Sequence, residues 1–170
     1  GGFAPPKNLG LMIAAFALLR KTQAARLWLI GPTYRRSYRR VIERMIDEWK
    51  LRDAVTIVDF LPKSQLNIYY NAADVLAVTS NQDEGGPTVV LEALSLGLPV
   101  VATPVGFTRD IVDRSPKNLR LVEPTPAAVA EGLQQTLSSK ERAAPMSVWT
   151  WDDVMNVVKP LYEQLFRTPT

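Results

Sequence analysis

Two glutamates, Glu84 and Glu92, enclose the run Gly85-Gly86-Pro87-Thr88-Val89-Val90-Leu91, and neither histidine nor cysteine occurs anywhere in the 170 residues. Without histidine the usual general base and the commonest metal ligand are gone. Without cysteine there are no disulfides, no thiolate chemistry and no Cys-held metals. Acid-base work must come from carboxylates, Lys or Tyr, or from another domain. The run between the glutamates suits an anion. Pro87 falls where the first residue of a helix belongs, because its missing N–H is no loss there. The amides of Thr88, Val89 and Val90 are then expected to point out of the helix end, and with the positive end of the helix dipole they suit a diphosphate.

Glu92 stands among Val89, Val90, Leu91, Ala93 and Leu94, a pattern that predicts a helix buried on much of its circumference. A carboxylate in such a place needs a partner, either a cation or the hydroxyls of a ligand, because leaving it unpaired costs several kcal/mol. Glu84 lies in the loop ahead of the helix, within reach of sugar hydroxyls beside a phosphate. By composition alone Glu84 also reads as a solvated loop acid, and Glu92 as a member of a structural ion pair.

The elements that must position these residues follow from hydrophobic periodicity. An amphipathic helix is predicted over 9–21, a buried strand over 26–31, a charged helix over 35–50, a strand over 55–60 and a short helix over 64–72 with Ser64 as N-cap. A strand at 75–80 leads into the glycine loop and a helix from Pro87 to Leu96, stopped by Gly97. A strand at 100–103, a short helix near 108–112, a strand at 119–122 and helices at about 126–137 and 151–166 complete the series. Short apolar strands alternating with helices predict a doubly wound α/β domain, its parallel sheet covered on both faces. Ligands in such sheets sit beyond the carboxyl ends of the strands, which directs attention to the loops after Gly31, Phe60, Ser80 and Thr103.

With 46% hydrophobic residues the chain is long enough for one buried core and is read as a single domain over 1–170. The formal net charge of +3, from 20 Lys+Arg against 17 Asp+Glu, gives no support to a nucleic-acid partner. The longest apolar stretch, Leu11 to Leu19, is too short to cross a bilayer, and the reading is a soluble, cytoplasmic protein. The basic run Tyr34 to Arg44 could meet an anionic membrane, which would make the protein peripheral to its inner face, or a charged acceptor. Glu43 and Asp47 offset part of that field, as on a solvated helix face. Trp149 and Trp151 read as packing anchors.

The stretch DEGGPTVVLEALSLGLPVVATPVGFTRDIV resembles the signature of glycosyltransferase family 4 (group 1), whose donor domain carries a Glu, seven residues and a second Glu within this helix. PPKNLGLMIAAFALL resembles that family's first helix, NIYYNAADVLAVTS its approach to the signature, and the helix opening at Trp151-Asp152 its C-terminal crossover helix. The resemblance implies a Rossmann-like C-terminal half of a GT-B fold that binds a nucleotide-diphosphate sugar, such as a UDP- or GDP-sugar, for retaining, metal-independent transfer of a hexosyl type. It implies no cofactor beyond that substrate. By the same resemblance Glu92 holds the ribose hydroxyls, Glu84 touches the transferred sugar, and Gly85, Gly86, Pro87, Thr88, Val89 and Val90 receive the diphosphate. Lys7 matches the lysine of a family Arg/Lys pair that neutralises it.

The family's arginine position falls on Gly2. Loss of one charge-assisted hydrogen bond costs roughly 1.5–3 kcal/mol, and Lys63 and Arg109 are candidates to compensate. Gly31-Pro32-Thr33 stands where the family has Gly-x-Gly, and Asp59 replaces a glycine near the base pocket. Gly1-Gly2 resembles the turn after the family's first strand. That strand, and an N-terminal domain that would bind a glycan, lipid or small-molecule acceptor, are therefore expected to lie outside this sequence, which would be inactive alone. Two other readings stand beside this one, a degenerate non-catalytic nucleotide-sugar-binding or scaffold module, and a GT-B-fold sugar-nucleotide epimerase relative.

Overall fold

The computed structural model describes residues 2–81, 85–112, 118–139, 142, 144–147 and 150–166, the side chains of residues 63, 165 and 166 excepted. Helices α1 (Leu9–Leu19), α2 (Arg36–Glu48), α3 (Lys63–Ala72), α4 (Thr88–Ser95), α5 (Thr108–Ile111), α6 (Pro126–Ser139) and α7 (Trp151–Phe166) are interleaved with strands β1 (Leu27–Ile30), β2 (Val55–Val58), β3 (Leu76–Val78), β4 (Val100–Ala102) and β5 (Leu119–Leu121). Every strand pairing among the described residues is parallel: β1 with β2 from Leu27 beside Val55, and β3, β4 and β5 in that order from Leu76 beside Val100 and Val100 beside Leu119. The doubly wound α/β class is as expected.

The period-two geometry of the strands explains how two cores form. On β4, Val101 turns toward a cluster with Ile13 and Phe16 of α1, Ile42 and Ile46 of α2, and Val129 and Leu133 of α6. Val100 and Ala102 turn the other way, to Val90, Ala93 and Leu94 of α4 and to Tyr70 of α3. Each fully buried Val or Leu contributes about 1.5–3 kcal/mol, so both faces are firmly held.

The β1-β2 pair and the β3-β4-β5 sheet are separate hydrogen-bonded units. Residues 3–8 span the interval at its carboxyl end. Phe3 N–H donates to Pro32 O at 2.8 Å, after β1, and Asn81 N–H donates to Pro6 O at 2.9 Å, after β3. Between these points Pro5–Lys7 form a single 3-10 turn that ends at Asn8, whose φ is 46°.

Several local expectations are corrected. α1 is not amphipathic: it lies between α2 and α6 with Leu11, Met12, Ile13, Ala15, Phe16 and Leu19 all buried, so apolar residues are needed nearly all round. Pro62, not Ser64, caps α3. Pro87 is the N-cap of α4, one position ahead of its expected place, at φ −77° and ψ 100°. Gly97 does stop α4: at φ 67° it donates to Leu94 O while Leu98 N–H donates to Ala93 O, the two bonds of a Schellman ending. Trp151 anchors no packing within the described residues, being 83% exposed, and Met155, Leu161 and Tyr162 of α7 are exposed with it; Trp149 lies outside the described residues. No helix among the described residues is long and apolar enough to cross a membrane.

Candidate functional site

The candidate residues that the structure describes lie on the turn at Lys7, on the loop beyond β3 and on α4, which follows that loop. Thr79 and Ser80, directly after β3, are buried hydroxyl residues. The Thr79 hydroxyl lies 3.2 Å from both Lys7 O and Asn8 O, tying the main chain at Lys7 to the end of β3. After β4, the Thr103 hydroxyl donates to Ser80 O at 2.6 Å, and the Thr108 hydroxyl accepts from Val105 N–H at 3.0 Å. Buried polar groups must be bonded, and here their bonds join the two loops to each other.

The glycine loop is packed tightly at Gly86, while a side chain on Gly85 would meet open space. Gly86 has φ 157°, and a Cβ on it would lie 2.2 Å from Cδ1 of Phe107; a Cβ on Gly106 would lie 2.3 Å from Gly85 O. Gly85 is exposed and Pro87 buried; beyond them Thr88 is exposed and Val90 fully buried. The amides of Thr88 and Val89 precede any intrahelical acceptor, as the start of a helix requires. Val90 departs from its expected part, since its N–H donates to Pro87 O at 2.9 Å and so serves the helix.

Glu92 is exposed on α4, not enclosed as the surrounding apolar residues suggested. The burial falls on Val90, Ala93 and Leu94, which face β3 and β4 and leave Glu92 on the opposite side of a short helix. Its partner is a neutral phenol: Tyr70 Oη donates to Glu92 Oε2 at 2.7 Å. Burial of Tyr70, and then the adjoining carboxylate, push the phenol's pKa well above its usual range. Among the described residues no ion pair joins Glu92 to a base. Glu84 lies outside the described residues, as does the side chain of Lys63, and Arg109 is exposed on α5.

A Cβ on Gly2, at the position of the family arginine, would lie 2.8 Å from the backbone oxygen of Pro32 and 2.3 Å from the ring of exposed Tyr34, so a side chain there needs the backbone as well as the ring to shift. The nearby cation is Arg39, whose guanidinium carbon lies 5.3 Å from the centre of the Phe3 ring. It bonds Glu43 at 2.8 Å and Thr33 at 3.0 Å, and also pairs with Asp59. Arg35, Arg36, Arg40 and Arg44 are exposed. An open cleft of about 520 Å³ lies at the far end of α1, lined by Leu18, Arg20, Lys21, Trp49 and Lys50, away from Lys7.

Tyr70, Phe107 and Arg142 were not singled out from the sequence. Tyr70 sits within NIYYNAAD, a segment whose resemblance was legible while its contact with Glu92, 22 residues onward, was not.

The description "Glycosyl transferases group 1" belongs to the family model that matches residues 1–147. The chain is 29% identical over 136 residues to the D-inositol 3-phosphate glycosyltransferase of Corynebacterium urealyticum, a match that covers 75% of this chain and 32% of that protein. Its fold is similar to that of sucrose-phosphate synthase from Thermosynechococcus elongatus, at 30% identity and TM-score 0.83, over 98% of this chain and 44% of the other. It is also similar to Anabaena HepE, solved in complex with UDP, at 22% identity and TM-score 0.74, over 97% of this chain and 46% of the other. The chain thus spans about a third to a half of the length of such relatives, and its architecture is that of one Rossmann-like half of a GT-B fold. A match extending over 147 of its residues, together with this architecture, places the chain in the group 1 glycosyltransferase family.

Proposed function

We propose that the chain is the C-terminal, donor-binding half of a retaining family 4 glycosyltransferase that transfers a hexosyl group from a nucleoside-diphosphate sugar, without a resident metal or cofactor. The observation that carries this reading is the exposed Glu92 carboxylate, held by Tyr70 on the helix that follows the glycine loop beyond β3. The carboxylate accepts the ribose hydroxyls, the amides of Thr88 and Val89 receive the diphosphate, and Lys7 supplies a cation on the turn tied to Thr79. As the bond from the anomeric carbon to the diphosphate oxygen breaks, negative charge grows on the phosphate and the sugar becomes oxocarbenium-like. Fixed N–H donors and a cation lower that barrier without reorganising. Glu84 is assigned to the transferred sugar.

We assign the acceptor to an N-terminal half outside this sequence, and a further parallel strand to the interval between the β1-β2 pair and the β3-β4-β5 sheet. The isolated chain would then bind donor and not turn over. We place the protein in the cytoplasm, with the exposed arginines of α2 as its contact with an anionic membrane surface.

One observation favours the rival reading of a non-catalytic module: the backbone oxygen of Pro32 stands 2.8 Å from where a Cβ on Gly2 would lie, at the position of the family arginine. Calorimetric and thermal-shift titration with UDP, GDP, ADP and their sugar conjugates, beside Glu92→Ala, tests the donor site. Binding of one nucleotide that raises stability by mass action and is lost in Glu92→Ala supports it. Folded protein that binds none of them sinks it and leaves the degenerate scaffold reading.

A further inference from the structure

Glu92 and Tyr70 meet under unequal constraints. Glu92 is exposed on α4, and an exposed glutamate is among the side chains that lose most rotamer freedom when fixed. Tyr70 is 7% exposed, its ring set in the apolar cluster with Val90, Leu94 and Leu98. A phenol anchored by its ring is a rigid donor, and its bond to the carboxylate, 2.7 Å long, is charge-assisted. A carboxylate only accepts, at about four lone-pair positions over two oxygens. With one taken by Tyr70, the rest are left for donors in solvent, and a vicinal diol offers two hydroxyls at a spacing that two carboxylate oxygens match.

The backbones on either side of this pair are themselves held by one segment. Arg142 Nη2 donates to Ala73 O at 2.6 Å and to Asn71 O at 2.8 Å, and lies 3.4 Å from Tyr70 O, at the end of α3. Met146 N–H donates to Leu94 O on α4 at 2.9 Å, and between these points buried Asn118 Nδ2 donates to Ala144 O at 3.1 Å. The helices that carry Tyr70 and Glu92 are strapped to the same stretch of chain, so their spacing does not depend on the two side chains alone.

We propose that Tyr70 is a positioning residue, whose hydroxyl holds the Glu92 carboxylate in the orientation that receives both ribose hydroxyls of the donor nucleotide. The proposal rests on the reading of Glu92 as the ribose acceptor. A purely structural tyrosine would satisfy its own buried hydroxyl and affect all ligands alike, whereas a positioning one acts only through the ribose.

The test is calorimetric titration of wild type, Tyr70→Phe and Glu92→Gln with UDP, GDP and ADP, each beside its 2′,3′-dideoxy form, with thermal melts of all three proteins. Wild type is expected to prefer the ribo form of the nucleotide it binds. Tyr70→Phe is expected to fold and to lose roughly tenfold in affinity for that form, with its dideoxy affinity unchanged. Ultraviolet titration of the phenol in Glu92→Gln is expected to show it ionising at lower pH than in wild type, which reads the contact without any ligand. If Tyr70→Phe weakens both forms equally, or neither, while Glu92→Gln abolishes the ribose preference, the positioning role is overturned and the reading of Glu92 stands. If wild type fails to distinguish the two forms, the ribose reading itself fails and the proposal falls with it.

Discussion

The Phe107 ring occupies the space into which any side chain on Gly86 would project, with Cδ1 placed 2.2 Å from where a Cβ would stand. Gly86 also has φ 157°, a backbone region that side-chain-bearing residues rarely adopt. The loops after β3 and β4 therefore meet through an absent side chain.

Gly86→Ala is expected to destabilise the protein by about 1–3 kcal/mol, or roughly 2–4 °C in Tm per kcal/mol for a chain of this size. Phe107→Ala removes the obstructing ring but not the backbone strain. In a double-mutant cycle followed by thermal melts, the Gly86→Ala cost should shrink in the Phe107→Ala background without vanishing. Equal costs in both backgrounds would mean that the ring is not what excludes the side chain.

Restoring an arginine at position 2 should fail by itself. Gly2→Arg drives a Cβ to 2.8 Å from the backbone oxygen of Pro32 as well as 2.3 Å from the Tyr34 ring, so the variant is expected to lose stability and gain no nucleotide affinity. Gly2→Arg with Tyr34→Ala removes the ring but not the backbone contact with Pro32 O, so the double variant is expected to remain destabilised and to gain no diphosphate affinity; a gain of about tenfold, the worth of one charge-assisted bond, would show that the ring alone excludes the side chain. Titration of both variants beside wild type measures the difference.

Alkaline stability should report on two tyrosines. Burial is the first cause of a raised pKa at both Tyr70 and Tyr38, and the Glu92 carboxylate adds to it at Tyr70. A raised folded pKa means that the unfolded chain gives up the proton first. The contribution is full below the ordinary phenol value of about 10 and is lost as pH rises toward the folded value, with a slope of at most about 1.4 kcal/mol per pH unit per group. Urea unfolding between about pH 9 and 11 should therefore show a stability decline that Tyr70→Phe makes shallower. Unchanged slopes would exclude Tyr70 as its source.

Arg142→Ala should loosen one end of the strap. The three carbonyl oxygens at the end of α3 lose their common donor, and an expected cost of about 1–2 kcal/mol allows for their exposure to water. Hydrogen exchange should quicken at the Met146 amide, which bonds Leu94 O, and in the last turn of α3 while β4 stays protected. Unchanged exchange there would show that the strap is held by Asn118 and Met146 alone.

The sequence by itself determined the order of elements, the parallel α/β class and the place of the glycine loop. These follow from local signals: apolar strands of a few residues, turn chemistry at Gly97, and a proline ahead of an apolar helix. It also marked Glu92 as a carboxylate in need of a partner, because a charge among apolar neighbours is visible one-dimensionally. Only the tertiary structure decided which face of α4 was buried, and so that Glu92 is exposed and its partner is Tyr70, a residue brought in by a separate helix. The same holds for the Tyr34 ring at Gly2, Phe107 at Gly86 and Arg142 at the end of α3. Each joins residues distant in the chain, and periodicity carries no record of which loops the folded sheet sets side by side. α1 erred in the other direction: its pattern suggested one apolar face, and packing between α2 and α6 required nearly all of them.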